Sequence, residues 1–278
     1  MKKLKKLFQK IMFNYKKEIT FYLTDRGFFS EINNLIFAIY YLEEKKNKKI
    51  IIDTSYFMYK WSEENIFNNN YRFIEKDKRK IFKIYNKKIF YNSYIWKKIR
   101  DKKFQDNLFD KIEVEKIRKI LEKFYIFKEK IDYKKDVPLE YIGIHIRRGD
   151  KVFGKMKEAE KIEVETYLSY IPENMKTLPL FVATDDEEVI EELRKLYGKD
   201  KIYTLFSKNV IRKNEKDFEK QSKEFIKKHT LLLLKEVEIL TNSKCFIGSY
   251  SSNIGRFIAL RRNFINSYSV DVDWAERY

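Results

Sequence analysis

Tyr141-Ile-Gly-Ile-His-Ile-Arg-Arg-Gly-Asp-Lys151 is the stretch on which the reading of this chain turns. An apolar run dense in β-branched residues, Tyr141 to Ile146, stops abruptly at two arginines, an aspartate and a lysine. The run has strand composition, broken only by Gly143 and His145, and Arg147, Arg148, Asp150 and Lys151 fall where the chain leaves the sheet. In open α/β folds, ligands sit at the carboxyl ends of strands. Two adjacent guanidiniums with a nearby ammonium suit a phosphate or diphosphate, because arginine presents a planar fork of donors and lysine a compact point charge. An ordinary solvated face is the competing reading in a chain with 60 Lys+Arg among 278 residues. The residue choice argues against it: most basic residues here are lysine, yet this strand end sets two arginines side by side. Arg148-Gly149-Asp150 as an adhesive tripeptide is a short, weak match, and the strand directly upstream favours a site mouth.

Elements of the same alternating kind flank this stretch. Ile19 to Leu23 reads as a strand, Asp25-Arg-Gly-Phe-Phe as a turn, and Ser30 as the N-cap of a helix with Ile32, Leu35, Ile36, Ile39 and Leu42 on its apolar side. Ile50 to Asp53 completes a βαβ unit. Glu113 to Phe124 reads as a helix, and the segment Asp132 to Pro138 as a linker, with Pro138 the expected domain boundary. Between Glu63 and Lys135 the sequence shows no chemistry. Beyond the arginines, Ile162 to Ile171 is expected to be helical and stopped by Pro172, and Leu180 to Thr184 to be a strand. Asp185 is expected to N-cap a helix with Glu188 at the capping-box position, and Gly198 to end it. A strand at Lys201 to Leu205, a long helix from about Asp217 to Leu240 and a strand at Lys244 to Gly248 follow. A helix from Ser251 and a last strand at Asn263 to Asn266 complete the series. Strands alternating with helices imply parallel sheets. The turn Ser249-Tyr-Ser-Ser252 follows a strand and opens a helix, so its hydroxyls and N–H groups stand where a helix N-terminus holds an anion; a plain serine cap explains the same residues.

Composition narrows the classes. The hydrophobic fraction of 44% supplies a core, and the formal net charge of +18 suits nucleic acid, an anionic membrane surface or phosphorylated ligands. Lysines are spread through nearly every segment and no finger, recognition or ribonucleoprotein signature is present, so nucleic acid is not the expected partner. The single cysteine, Cys245, excludes an intramolecular disulfide framework, and with only His145 and His229 besides, no metal site is expected. No stretch reaches the roughly 18 apolar residues of a spanning helix. The basic N-terminus, Met1 to Phe13, is too broken for a signal peptide. A cytoplasmic location is expected, with at most peripheral membrane contact through that segment.

His145-Ile-Arg-Arg-Gly-Asp-Lys151 resembles the arginine motif of the fucosyltransferase superfamily, which includes α1,6-, α1,2- and protein O-fucosyltransferases. The α1,6 branch, with its His-x-Arg-Arg-x-Asp-Lys pattern, is the nearest fit. Phe181-Val-Ala-Thr-Asp-Asp186 and Phe246-Ile-Gly-Ser-Tyr-Ser-Ser-Asn-Ile-Gly-Arg256 resemble further motifs of the same family. The resemblance is dense from Tyr141 to Tyr278 and thinner from Phe21 to Tyr59. It implies an α/β, GT-B-like architecture of two Rossmann-type domains with parallel sheets facing across a cleft. The acceptor-side domain would span 1–137 and the GDP-sugar-binding domain 138–278.

For function, the resemblance implies inverting, metal-independent transfer of fucose from GDP-fucose to a glycan hydroxyl, with no cofactor. Arg147, assisted by Arg148, Lys151 and Ser252, would hold the diphosphate, while His145 and Glu236 orient the guanine. Ser251, Arg256 and Asp185 would complete the donor site, although Asp185 as a helix cap explains that residue too. In the first unit the family turn is richer in glycine than this one. Gly27 would be its close-approach glycine, Asn33 would stand at a paired polar position, and Tyr59 would line the donor. Glu158 would act as the base, with Glu160 next, if three residues are inserted after the arginine motif. A transferase for another GDP-sugar and a catalytically inactive nucleotide-sugar-binding protein are the alternatives.

Overall fold

A computed structural model of the chain describes residues 13–62, 66, 67, 70–75, 95, 97, 111–148, 161–206, 218 and 220–272, and all structural statements concern these. The chain divides into two compact units, Met1–Glu129 and Lys130–Tyr278. Pro138 lies inside the second unit, where Asp136 and Glu140 pair with Lys235 at 2.6 Å and Lys244 at 2.7 Å. No helix among the described residues is long and apolar enough to cross a membrane.

In the first unit three parallel strands, β1 (Glu18–Tyr22), β2 (Lys49–Asp53) and β3 (Arg72–Ile74), lie in the order β1-β2-β3. Helix α1 (Phe28–Glu43) joins β1 to β2 and buries Ile32, Leu35, Ile36 and Ile39. It starts two residues before the expected Ser30 cap, with Gly27 at the N-cap position and no side-chain cap. Burial outweighs capping here. Phe28, 2% exposed, packs its ring within 5.3 Å of Tyr59 and 5.6 Å of Phe57, and helical backbone at Phe28 and Phe29 is what directs both rings inward. Phe67 extends the cluster to Phe124 at the end of α2 (Lys111–Phe124), with ring centroids 4.7 Å apart.

Glu31, in the first turn of α1, is wholly buried, and its Oε2 accepts the Thr24 N–H at 2.7 Å. Glu31 Oε1 and Thr24 Oγ1 have no hydrogen-bond partner among the described residues. Burial pushes this carboxyl up, and the hydrogen bond from Thr24 and the charge of Arg26 oppose it only in part. A carboxyl raised on folding favours the native state fully below its ordinary pKa, and the contribution is lost as pH rises through the raised value. Glu31→Gln keeps an acceptor for Thr24 N–H and adds a donor for its hydroxyl. Its melting temperature should therefore exceed that of the wild type at about pH 8, and the gap should shrink toward about pH 4. A pH-independent difference would contradict this.

The second unit carries five parallel strands in the order β6-β5-β4-β7-β8: β4 (Ile142–Ile146), β5 (Leu180–Thr184), β6 (Ile202–Tyr203), β7 (Cys245–Gly248) and β8 (Ser267–Ser269). Helices α3 (Val164–Ser169), α4 (Glu187–Tyr197), α5 (Lys223–Asn242) and α6 (Asn253–Arg261) connect them. Ile142, Ile144 and Ile146 share one core with Val164 and Tyr167 of α3 and Val189, Ile190 and Leu193 of α4, so the alternate residues Gly143 and His145 face the other layer. A Cβ on Gly143 would stand 2.9 Å from Ser243 Oγ and 3.1 Å from a Leu240 methyl, which shows how closely the end of α5 lies on β4.

Several boundaries differ from the sequence reading; α5, for one, begins at Lys223 behind a Ser222 cap that accepts the Phe225 N–H at 3.2 Å, not at about Asp217. Helix α3 is only six residues long, and a short 3₁₀ turn at Glu173–Met175 follows Pro172. The cap of α4 is Asp186, whose carboxylate accepts the Glu188 N–H at 3.0 Å, so Asp185 forms no capping box. Strand β6 has two residues, not five. The last strand begins at Ser267, because Asn263, Phe264 and Asn266 take positive φ angles of 52°, 58° and 45° in a reversal after α6. Arg262 holds this reversal: its guanidinium donates to the carbonyls of Thr241, Ser243, Lys244, Ile265 and Asn266 and to Ser267 Oγ.

Candidate functional site

The order β6-β5-β4-β7-β8 places the unit's first strand in the middle. The chain builds outward through β5 and β6, then returns to the other side of β4 with β7 and β8. Connections leaving β4 and β7 therefore diverge, and the crevice between their carboxyl ends is where open α/β sheets bind ligands. Two sequence-predicted segments meet there: the arginines after Ile146 and the turn Ser249–Ser252 after Gly248.

The arginines part at the strand end. Arg148 is 4% exposed and turns to the α3–α4 layer, with Nη1 3.3 Å from Glu192 Oε2 and Nη2 3.5 Å from Glu163 Oε2. Its backbone N–H donates to Asp185 Oδ1 at 2.8 Å. Arg147 is left about one-third exposed, with Nε 3.9 Å from the other Asp185 oxygen. Asp185 thus braces the arginine segment from the end of β5 rather than capping α4. Tyr167, buried on α3, lies within electrostatic reach of Arg148, Asp185 and Asp271; burial raises its phenol first, and the two aspartates add to that against the arginine.

Across the crevice, Ser252 is the N-cap of α6 and nearly buried, its Oγ accepting the Gly255 N–H at 3.4 Å. Gly255 has a steric reason: a Cβ there would come 2.3 Å from the Ser249 carbonyl oxygen. Ser251 is exposed, while Arg256 bonds Asn253 Oδ1 at 2.6 Å and lies 5.4 Å from the centre of the Tyr250 ring.

His145 and Glu236 are both buried, at 4% and 5% exposure. Gly143 meets Leu240 of α5, two residues along a strand rise about 6.6 Å, and four residues back along an antiparallel helix rise about 6 Å. That register sets His145 and Glu236 at one level of the sheet–helix interface. Gly27 and Asn33 stand at the start of α1, and Tyr59 packs edge-on against Phe28. Lys151, Glu158 and Glu160 lie outside the described residues. Among the described residues no group of three or more His, Cys, Asp or Glu is arranged to hold a metal ion.

Glu163, Glu192 and Asp271 were not foreseen. Glu163 is the extended residue just before α3 and Glu192 sits in α4, and neither stands out in sequence among many similar charged positions. Asp271 was hidden by the misplaced last strand, although a serine and an aspartate two residues apart after a strand could have marked it.

No protein-family model matches the chain, and none of the curated proteins matches it significantly in sequence. Solved structures do. The NodZ α1,6-fucosyltransferase soaked with GDP-fucose is similar at 13% identity, with a TM-score of 0.56 over 88% of this chain and 92% of that one. POFUT1 in complex with GDP is 10% identical, with a TM-score of 0.51 over 91% and 98%. A FUT1 of Arabidopsis thaliana in complex with GDP is 11% identical, with a TM-score of 0.50 over 89% of this chain and 69% of that one. The chain has the α/β fold of these fucosyltransferases, the GT-B type with two parallel sheets, over most of its length and at low identity.

Proposed function

We propose that the chain is an inverting, metal-independent glycosyltransferase that moves fucose from GDP-fucose to a glycan hydroxyl. The observation that carries this reading is the meeting of the arginine segment and the hydroxyl turn at the switch point of the second sheet. In a displacement at the anomeric carbon, negative charge grows on the departing diphosphate, and preorganised donors act most strongly where charge develops. Arg147, oriented by Asp185, would meet that charge together with Lys151, Ser251, Ser252 and the N-terminal end of α6. Arg148 supports the segment through Glu163 and Glu192. His145 and Glu236 would orient the guanine, with Arg256 at the edge of the donor site. Glu158 would take the acceptor proton. By the same resemblance, Gly27, Asn33 and Tyr59 would be donor-binding residues.

Because cationic side chains meet the diphosphate, release of GDP from GDP-fucose and transfer to an acceptor should persist in excess chelator. Activity that disappears with chelator and returns with manganese would overturn the arginine-based mechanism.

A further inference from the structure

We propose that Asp271 is a positioning residue of the diphosphate site: its carboxylate fills the anion-binding amides of the turn after β7 and so fixes the turn that presents Ser251, Ser252 and the start of α6. This rests on the nucleotide-sugar reading above. Strand β8 pairs with β7 through Gly248 and Ser269, and Val270 N–H donates to the Gly248 carbonyl at 2.9 Å, so Asp271 emerges beside the turn. Tyr250 N–H donates to its Oδ1 at 2.7 Å and Ser251 N–H to its Oδ2 at 3.0 Å. Ser269 Oγ and Val272 N–H each donate to Oδ1 at 2.8 Å. Successive N–H groups converging on one carboxylate form the concavity that elsewhere receives a phosphate.

Two consequences follow. The Tyr250 and Ser251 amides are already engaged, so the diphosphate is met by hydroxyls, the end of α6 and the arginine segment. The turn is also held before any ligand arrives, which lowers the ordering cost of binding. Burial alone would raise the Asp271 carboxyl, but its hydrogen bonds with Ser251, Ser269 and Tyr250 outweigh that and hold it below the usual carboxylate range. The charge is therefore kept at neutral pH.

The test uses the full chain, with amide exchange at Tyr250 and Ser251 followed by NMR and GDP affinity by calorimetry, each with and without sodium formate. In Asp271→Ala the two amides should exchange faster and GDP should bind at least about tenfold more weakly. Formate, a small carboxylate that fits the emptied concavity, should restore both, and sodium chloride should not. If Asp271→Ala does not fold, Asp271→Asn, which keeps the shape and one acceptor oxygen, is read by amide exchange and GDP affinity alone, because its side chain still fills the concavity and leaves no room for formate. Unchanged exchange, unchanged affinity or the absence of formate rescue of Asp271→Ala would overturn the role. A wild-type chain that fails to bind GDP would overturn the nucleotide reading itself, a failure told apart because wild type and variant are then equally silent.

Discussion

Arg147→Lys should fold as the wild type does and turn over on the order of a hundredfold more slowly, because one donor aimed at developing negative charge typically contributes that much. The substitution keeps the charge and removes the planar fork, so a point charge alone would leave turnover nearly intact while bidentate recognition would not. Arg147 suits such a test because it is about one-third exposed at the strand end, where Lys keeps a positive charge of similar reach. Arg148→Lys is the matched comparison. Its guanidinium is 4% exposed between Glu192 and Glu163, so its loss should appear first as a lower melting temperature without ligand. Near wild-type turnover by a folded Arg147→Lys enzyme would sink the role assigned to that residue.

Arg262→Ala should lower the melting temperature of the second unit by about 5–10 °C, from about 2–3 kcal/mol of lost hydrogen bonding at a few degrees per kcal/mol in a domain of this size. Arg262 gathers five carbonyls from the end of α5, the start of β7 and the left-handed reversal before β8. Removing it strands those acceptors together and frees the reversal. Arg262→Lys should recover only part of the loss, since three donors on a flexible stem cannot span the set. An unchanged melting temperature for Arg262→Ala would show that water replaces the guanidinium without cost.

Much of this was legible in the sequence, and the failures share a cause. The apolar run before Arg147, Ala-Thr-Asp-Asp at the end of β5 and the serine turn before α6 all announced strand ends, because a buried parallel strand must finish abruptly where polar residues begin. Boundaries set by tertiary contacts were not legible. Two phenylalanines started α1 earlier than its serine because rings elsewhere in the unit bury them. Asp185 and Asp186 are equal as caps by local rules, and only the Arg148 N–H, from a strand 37 residues away, decides which one caps the helix. The last strand was read over Asn263 to Asn266, since nothing local shows that Arg262 bends that segment into positive φ.

Nucleotide discrimination is the most direct test of the proposed guanine-nucleotide site at the switch point. Thermal denaturation of the full chain with saturating GDP, UDP or ADP measures it, because a ligand bound by the native state alone stabilises by mass action. GDP should raise the melting temperature more than the other two, and Glu236→Ala should narrow that preference by removing the acid proposed to read the guanine edge. Equal stabilisation by all three nucleotides, or none by GDP, would contradict the assignment of a guanine nucleotide to this site.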